Sequence, residues 1–276
     1  MSAPRARLLG IIGWPVAHSL SPRLHNFWLR QHNIDAHYQL LPTRPEALAE
    51  TLRGLSQHGY IGVNITIPHK ETAYHLVDTS DASAAAVGAI NTIRVGADGK
   101  LHGSNTDAYG FAENIRNSGH DFRAGPALVL GAGGAARAVL AALQAEGCPQ
   151  IYLANRTRVR AEQLAAAMNP AIRIIDWEQR EKTLRDSKLL VNTTSLGMTG
   201  QDALALNLDT LPSDAAVNDL VYKPLHTPLL RAATARNLRA IDGLGMLLYQ
   251  AQAAFHHWFA IKPAITPTLR DRILES

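Results

Sequence analysis

Short runs of apolar residues recur along the chain with polar, turn-forming stretches between them. "LLGIIG" (8–13), "AHYQLLP" (36–42), "IGVNITI" (61–67), "ALVLGA" (127–132), "QIYLANR" (150–156), "KLLVNTT" (188–194) and "AAVNDLVY" (215–222) have the length and residue types of β-strands. Between most of them lie segments with helical spacing, such as "PEALAETLRGLSQHG" (45–59) and "ARAVLAALQAEG" (136–147). Strands alternating with helices predict parallel sheets covered on both faces, an α/β fold. The helix-like segment opened by "GSNTDAYG" (103–110) ends in the turn-rich "NSGHDFRAGP" (117–126), which marks a change of unit. A final helix is expected over about residues 243–259, able to fold back onto the first unit. The domains read from this pattern are 1–107 with 243–276, and 108–242.

Composition narrows the class. The 276 residues are 46% hydrophobic and 18% charged, which suits a folded chain of two ordinary domains. The net charge of +4 comes without a basic run or an aromatic-interleaved basic patch, so nucleic acid is not an expected partner. Small anionic ligands suit that balance. The one cysteine, Cys148, cannot form an internal disulfide and reads as inert. The start, "MSAPRARLLGIIGWPVAHS", is broken by Gly10, Gly13 and Pro15 and reads as a first strand rather than a signal peptide. No stretch is long enough to cross a bilayer, so a cytoplasmic protein is expected.

"ALVLGAGGAARAVLAALQ" is a strand, a glycine turn and a helix, the order of a dinucleotide-binding fingerprint. Gly131, Gly133 and Ala136 take the three small positions: a tight turn, room for a pyrophosphate, and close packing of helix on strand. The helix N-terminus adds N–H donors and the positive end of its dipole. The next strand ends in Asn155-Arg156-Thr157, and no acid follows until Glu162. An acid here holds the ribose of NAD, whereas an arginine suits the 2′-phosphate of NADP. Arg156, with Arg158 and Arg160 behind it, therefore selects NADP as the expected cofactor.

"VNITIPHK" (63–70) alternates apolar and polar residues until Pro68 ends the ladder, leaving Asn64, Thr66 and Lys70 aimed at one neighbourhood. Further polar candidates are Ser19 and Ser21 in "HSLSPRLHN", Asn91 in "GAINTI" and Asp107 in "GSNTDAYG". Ser19 and Ser21 also suit the start of a helix, since Ser-Pro commonly opens one. His18, His25 and His69 have no metal-ligand spacing and read as structural.

Together with "GAGGAA", "NRT", "NTTSLGM", "DLVYKP" and "GLGMLLYQ", these motifs resemble the shikimate dehydrogenase family, in the family's order from about Gly13 to Gln250. The resemblance implies two domains, an N-terminal mostly parallel α/β sandwich and a Rossmann-type NADP-binding domain, with the active site in the cleft between them. It implies reversible, NADPH-dependent reduction of 3-dehydroshikimate to shikimate on the route to aromatic amino acids. On that resemblance Ser19 and Ser21 bind the substrate carboxylate, while Asn64, Thr66, Asn91, Tyr222 and Gln250 bind ring hydroxyls. Lys70 and Asp107 form the catalytic pair. Gly131, Ala132, Gly133, Gly134 and Ala135 hold the pyrophosphate, and Asn155, Arg156, Thr157 and Arg160 the 2′-phosphate. Val221 and Gly243 line the nicotinamide end, and no metal is implied.

The chemistry agrees with those roles. As hydride reaches a ketone carbon, negative charge grows on oxygen and needs a positioned donor. The ammonium of Lys70 supplies charge and a proton, and a carboxylate at Asp107 would orient it and favour its charged form. In the oxidative direction Lys70, Asp107 and a hydroxyl relay are all open routes for the proton. Two rivals remain at this point: a dual quinate/shikimate dehydrogenase, and a non-catalytic NADP-binding sensor on the same fold. The oligomeric state is open too, a homodimer included.

Overall fold

The computed structural model describes residues 7–168 and 171–275; the leading residues 1–6, part of the expected first-strand approach, lie outside the described residues. The chain divides into two units, residues 1–106 with 248–276, and residues 107–247.

The first unit runs β1 (Arg7–Gly13), α1 (Ser21–Gln31), β2 (Ala36–Pro42), α2 (Leu48–Gly54), β3 (Tyr60–Ile65), α3 (Lys70–Tyr74), β4 (Thr79–Ser80), α4 (Ala82–Val87), β5 (Thr92–Val95) and β6 (Leu101–Ser104). Its six strands lie in the order β2-β1-β3-β5-β6-β4. The pairs β1–β2, β1–β3 and β4–β6 are parallel, but β5 runs antiparallel to both its neighbours. This fits the expectation of a mostly parallel sheet, and the cause of the antiparallel exception is local. β5 and β6 are joined by "GADGK", where Gly96 N–H donates to Lys100 O at 2.8 Å and Gly99 takes φ +81°. Asp-Gly with a positive φ at the glycine makes a short hairpin, and a hairpin forces the antiparallel pairing. The apolar face of this sheet is closed by Ile12, Leu48, Leu52, Val63, Ile65 and Ile93, all buried.

The second unit runs α5 (Asp107–Asn117), β7 (Ala127–Leu130), α6 (Gly134–Ala145), β8 (Ile151–Ala154), α7 (Arg158–Met168), β9 (Arg173–Ile175), α8 (Arg180–Leu184), β10 (Leu189–Asn192), β11 (Ala216–Asp219), α9 (Pro228–Ala235) and β12 (Arg239–Ile241). Its sheet, β12-β11-β10-β7-β8-β9, is parallel throughout. The central strands β7, β10 and β11 are buried along their whole length, so they read as continuous apolar runs. Two apolar clusters share the strand residues, one including Val129, Val191 and Leu153, the other Leu128, Leu190 and Val217. The alternation puts a core on each face of the sheet.

Two helices close the chain, α10 (Gly243–Phe259) and α11 (Pro267–Leu274). Asp107 and Gly243–Leu247, grouped with the first unit in the sequence reading, fall in the second. The reason is packing. α5 buries Phe111 and Ile115 in the second unit's core, and Asn114 donates to Asp242 O at 2.8 Å just before α10. A side chain at Gly245 would overlap Asn114. From Leu248 onward α10 packs in the first unit, where Trp258 Nε1 donates to Ile93 O at 3.0 Å and Phe255 is fully buried.

That seat admits no side chain on the strand beneath it. A Cβ at Gly62 would overlap the Trp258 indole and come within 2.8 Å of Ile93 O. Gly62→Ala is therefore expected to destabilise the chain by about 1–3 kcal/mol, the range for overpacking a tight core. Urea denaturation followed by tryptophan fluorescence measures it, and an unchanged midpoint would refute this packing of α10 on β3.

Candidate active site

In the first unit the chain leaves β1 for β2 on one side and then returns to β3 on the other. Ligands of open α/β sheets bind at such a reversal, beyond the carboxyl ends of the strands. The segments that follow β1 and β3 carry Ser19, Ser21, Thr66 and Lys70.

Asn64, on β3, is buried and its amide is held from three directions. Its Oδ1 accepts from the Tyr38 hydroxyl at 2.7 Å, and its Nδ2 donates to Asn91 O at 3.0 Å and Thr92 Oγ1 at 3.1 Å. Asn91 is equally embedded. Its Oδ1 accepts from Thr106 N at 2.8 Å and Thr92 Oγ1 at 2.9 Å, and its Nδ2 reaches Thr106 Oγ1 at 3.0 Å and Gln250 Oε1 at 3.4 Å. At the other end burial pushes the pKa of the Tyr38 phenol well above its ordinary value of 10, and the neighbouring Ser21 hydroxyl pulls it back. Ser21, Asn64, Asn91 and Gln250 are thus brought together through Tyr38, Thr92 and Thr106. None of those last three is among the residues singled out from the sequence. The usable signal for Tyr38 is a tyrosine in a buried position of "AHYQLLP", where a phenol needs a partner.

Ser19 has the capping role foreseen for it: its Oγ accepts from Ser21 N at 3.2 Å, while the residue between them, Leu20, has no side chain able to cap α1. A hydroxyl that accepts still has a proton to donate, so capping leaves Ser19 able to bind an anion. Thr66 does not share β3 with Asn64, because the strand ends at Ile65. Its N–H donates to Ile12 O at 2.9 Å, and its methyl occupies the space a side chain at Gly13 would need. Lys70 opens α3, and its carbonyl accepts from Ile90 N at 2.9 Å. The preceding His69 is buried with Nε2 at 2.8 Å from Thr43 O, a structural anchor. Asp107, 6% exposed, is the first residue of α5 in the second unit. His25 lies buried and stacked on Tyr38 at 4.4 Å; burial lowers its pKa to about 3, so it is a neutral core ring.

In the second unit the reversal lies between β7 and β10. The turn after β7 has Gly131 at φ +106°, where a Cβ would come within 2.5 Å of Thr193 Oγ1. Around Gly133 and Gly134 the space is open, with nothing within 4 Å of a Cβ, and Gly133 gives α6 no side-chain cap. The N–H groups of that first turn therefore face room for a ligand, and Ala136 is fully buried where helix meets strand. These residues fit a dinucleotide pyrophosphate.

After β8, Asn155 Nδ2 donates to Thr157 O at 2.8 Å and Arg160 N to Thr157 O at 3.0 Å, which shapes the turn. Arg156 is exposed and makes no ion pair among the described residues. Arg158, grouped with it from the sequence, is already held by Glu162 at 2.8 Å and Asp176 at 2.5 Å. That leaves Arg156 and Arg160 as the cations open to a phosphate. After β11, Val221 N donates to Asp219 Oδ1 at 3.1 Å, and the half-buried Tyr222 phenol is pushed up in pKa by burial. A side chain at Gly243 would overlap the Leu220 carbonyl, so α10 starts pressed against that loop.

A parallel sheet with an open glycine turn, an uncommitted arginine after the second strand, and a separate unit with a polar network define a dinucleotide-dependent oxidoreductase. Residues 11–93 match the shikimate dehydrogenase substrate binding domain, and residues 112–199 match the shikimate / quinate 5-dehydrogenase family. The chain is 52% identical to shikimate dehydrogenase (NADP(+)) of Paramagnetospirillum magneticum, over 98% of this chain and 99% of that one. Among solved structures it is similar to shikimate 5-dehydrogenase of Thermus thermophilus in complex with NADP(H) and shikimate, with a TM-score of 0.86 and 38% identity over 97% and 98% of the two chains. It is also similar to quinate dehydrogenase of Corynebacterium glutamicum in complex with NAD, with a TM-score of 0.91 and 29% identity over 98% and 99%. The chain belongs to the shikimate dehydrogenase family.

Tyr38→Phe removes the donor to Asn64 and leaves a buried amide oxygen short of a partner. The expected cost is about 1–3 kcal/mol of folding stability. Chemical denaturation measures it; a cost near zero would show that the Tyr38–Asn64 bond does not hold the network.

Proposed function

We propose that the chain catalyses the reversible, NADPH-dependent reduction of 3-dehydroshikimate to shikimate. The observation that carries the reading is the hydrogen-bonded set that links Tyr38, Asn64, Asn91 and Gln250 within one unit, with Ser21 beside Tyr38. A ring bearing several hydroxyls needs donors and acceptors fixed relative to one another before it arrives. With both Nδ2 hydrogens and one lone pair of Oδ1 already used, Asn64 meets a ring hydroxyl as an acceptor. Ser19 and Ser21 bind the carboxylate, and Thr66 and Tyr222 complete the ring contacts.

NADPH, when bound, supplies the hydride. Gly131, Ala132, Gly133, Gly134 and Ala135 would hold its pyrophosphate, Asn155, Arg156, Thr157 and Arg160 its 2′-phosphate, and Val221 and Gly243 its nicotinamide end. Lys70 donates to the carbonyl oxygen, stabilises the charge that grows there and gives up a proton to it. Asp107 is the other member of the proposed catalytic pair. A quinate substrate with NAD, the pairing in the Corynebacterium glutamicum structure, is disfavoured by Arg156 where an NAD enzyme keeps an acid. The reading carries with it a cytoplasmic location, where NADPH is supplied.

Purified chain should consume NADPH with 3-dehydroshikimate, followed by absorbance, and absence of turnover would remove the reading. Within it, Lys70→Ala should lower kcat by about 10²–10⁴-fold with little change in substrate KM, because the donor is used mainly where charge develops. A near-normal kcat in folded Lys70→Ala protein would sink that role.

Arg156→Ala should weaken NADPH binding about tenfold or more, the scale of one charged hydrogen bond, and leave NADH binding nearly unchanged. Equal losses for both cofactors would show that Arg156 does not read the 2′-phosphate.

A further inference from the structure

Asp219, the last residue of β11, is the most enclosed carboxylate of the second unit, at 0% exposure. Every group around it brings a hydrogen. Asn192 Nδ2 donates to Oδ1 at 2.9 Å and Val221 N to the same oxygen at 3.1 Å, while Thr227 Oγ1 donates to Oδ2 at 2.6 Å. The Thr227 hydroxyl spends a lone pair on Leu230 N at 3.2 Å, as the cap of α9, which leaves its proton for Asp219. The mechanism above gives no role to Asp219, Asn192 or Thr227. A carboxylate without counter-ion is a costly way to fill a core, so its value must lie in what it ties together.

It ties together the two loops that leave the adjacent strands β10 and β11. Asn192 passes the connection on: its Nδ2 also donates to Leu196 O at 3.1 Å, and its Oδ1 accepts from Thr194 N at 3.1 Å and Thr194 Oγ1 at 2.7 Å. The neighbouring Thr193 is the residue that fills the space beside Gly131. On the other side, Val221 N and Thr227 are the two ends of the segment that carries Tyr222. The main chain contributes as well, since a side chain at Gly243 would run into the carbonyls of Asp219 and Leu220.

We infer that Asp219 is a positioning residue for the nicotinamide end of the cofactor site, holding the Val221–Tyr222 loop and the Thr193–Met198 loop in their working places. The inference rests on the proposed function for the roles of Val221, Tyr222 and Gly243. The sheet order supplies a test that a merely structural role would fail. The 2′-phosphate turn follows β8, on the far side of β7 from β10 and β11. Damage confined to the Asp219 loops should therefore spare a ligand that has only the adenosine 2′,5′-bisphosphate half.

The variant is Asp219→Asn, which keeps the shape but turns an amide N–H toward a group that already donates. Thr227→Val cuts the Oδ2 tether separately, and Thr227→Ser is the conservative control. Dissociation constants are measured for NADPH by its fluorescence and for 2′,5′-ADP by calorimetry. Asp219→Asn and Thr227→Val should each weaken NADPH about tenfold, the scale of a hydrogen bond to a charged group, and leave 2′,5′-ADP within about twofold. Thr227→Ser should restore NADPH binding. Equal weakening of both ligands would reduce Asp219 to a general support of the domain, and unchanged NADPH binding would remove the role altogether. Both arms are binding measurements, so they decide the matter independently of whether the chain turns over 3-dehydroshikimate.

Discussion

The hydrogen bonds of the Asn64 amide are the constraint on which the first unit's arrangement depends. Asn64 lies on β3 next to β1, and its partners belong to β2 (Tyr38), to the residue before β5 (Asn91) and to β5 itself (Thr92). A single side chain thus ties the parallel half of the sheet to its antiparallel half. Breaking any one of these bonds would leave a buried polar atom unpaired, which costs more than the bond itself is worth. The same bonds use both Nδ2 hydrogens and one lone pair of Oδ1, so the packing of the core decides the one direction in which Asn64 can still accept.

Aromatic packing keeps that polar set in place. Tyr38 is stacked on His25, and His25 is flanked by Trp28 edge-on at 5.9 Å and by Phe255 at 6.2 Å. Phe255 and Trp258 come from α10, nearly two hundred residues further along the chain than β3. Each fully buried ring of this size contributes about 1.5–3 kcal/mol in area removed from water. The returning helix therefore does two things for the first unit: it supplies the apolar weight behind Tyr38 and it delivers Gln250 to Asn91.

Much of this was legible in the sequence, and the parts that were not have identifiable causes. The glycine turn, its strand and its helix stand out because three small residues at fixed spacing have few other uses. β5 and β6 escaped notice because "TIRV" and "LHGS" mix polar with apolar residues and form no apolar run, although Asp98-Gly99 announced their hairpin. Arg156 and Arg158 cannot be told apart by sequence, since only the fold brings Asp176 from β9's far end to Arg158. Asp219 was invisible for the same reason, and at Tyr38 the sequence showed at most a phenol in need of a partner. Their importance lies in partners from distant segments, and alternation along one strand says which face a residue takes but not whom it meets.

The two units solve different recognition problems, and their polar groups are arranged accordingly. In the first, amides and hydroxyls are bonded to one another, so each presents its remaining valence in one direction, a set suited to a ligand with several like hydroxyls. In the second, the donors at the start of α6 are uncapped and Arg156 makes no ion pair among the described residues. A doubly charged phosphate supplies its own orientation through charge and accepts bonds from many directions, so uncommitted donors serve it better than a rigid set. Arg158 shows the contrast within a single turn. Paired with Glu162 and Asp176, it secures the start of α7 and is already committed within the protein. Two neighbouring arginines thus differ by what the fold brings to them: Arg158 is spent on two acids, while Arg156 is exposed with no ion pair among the described residues.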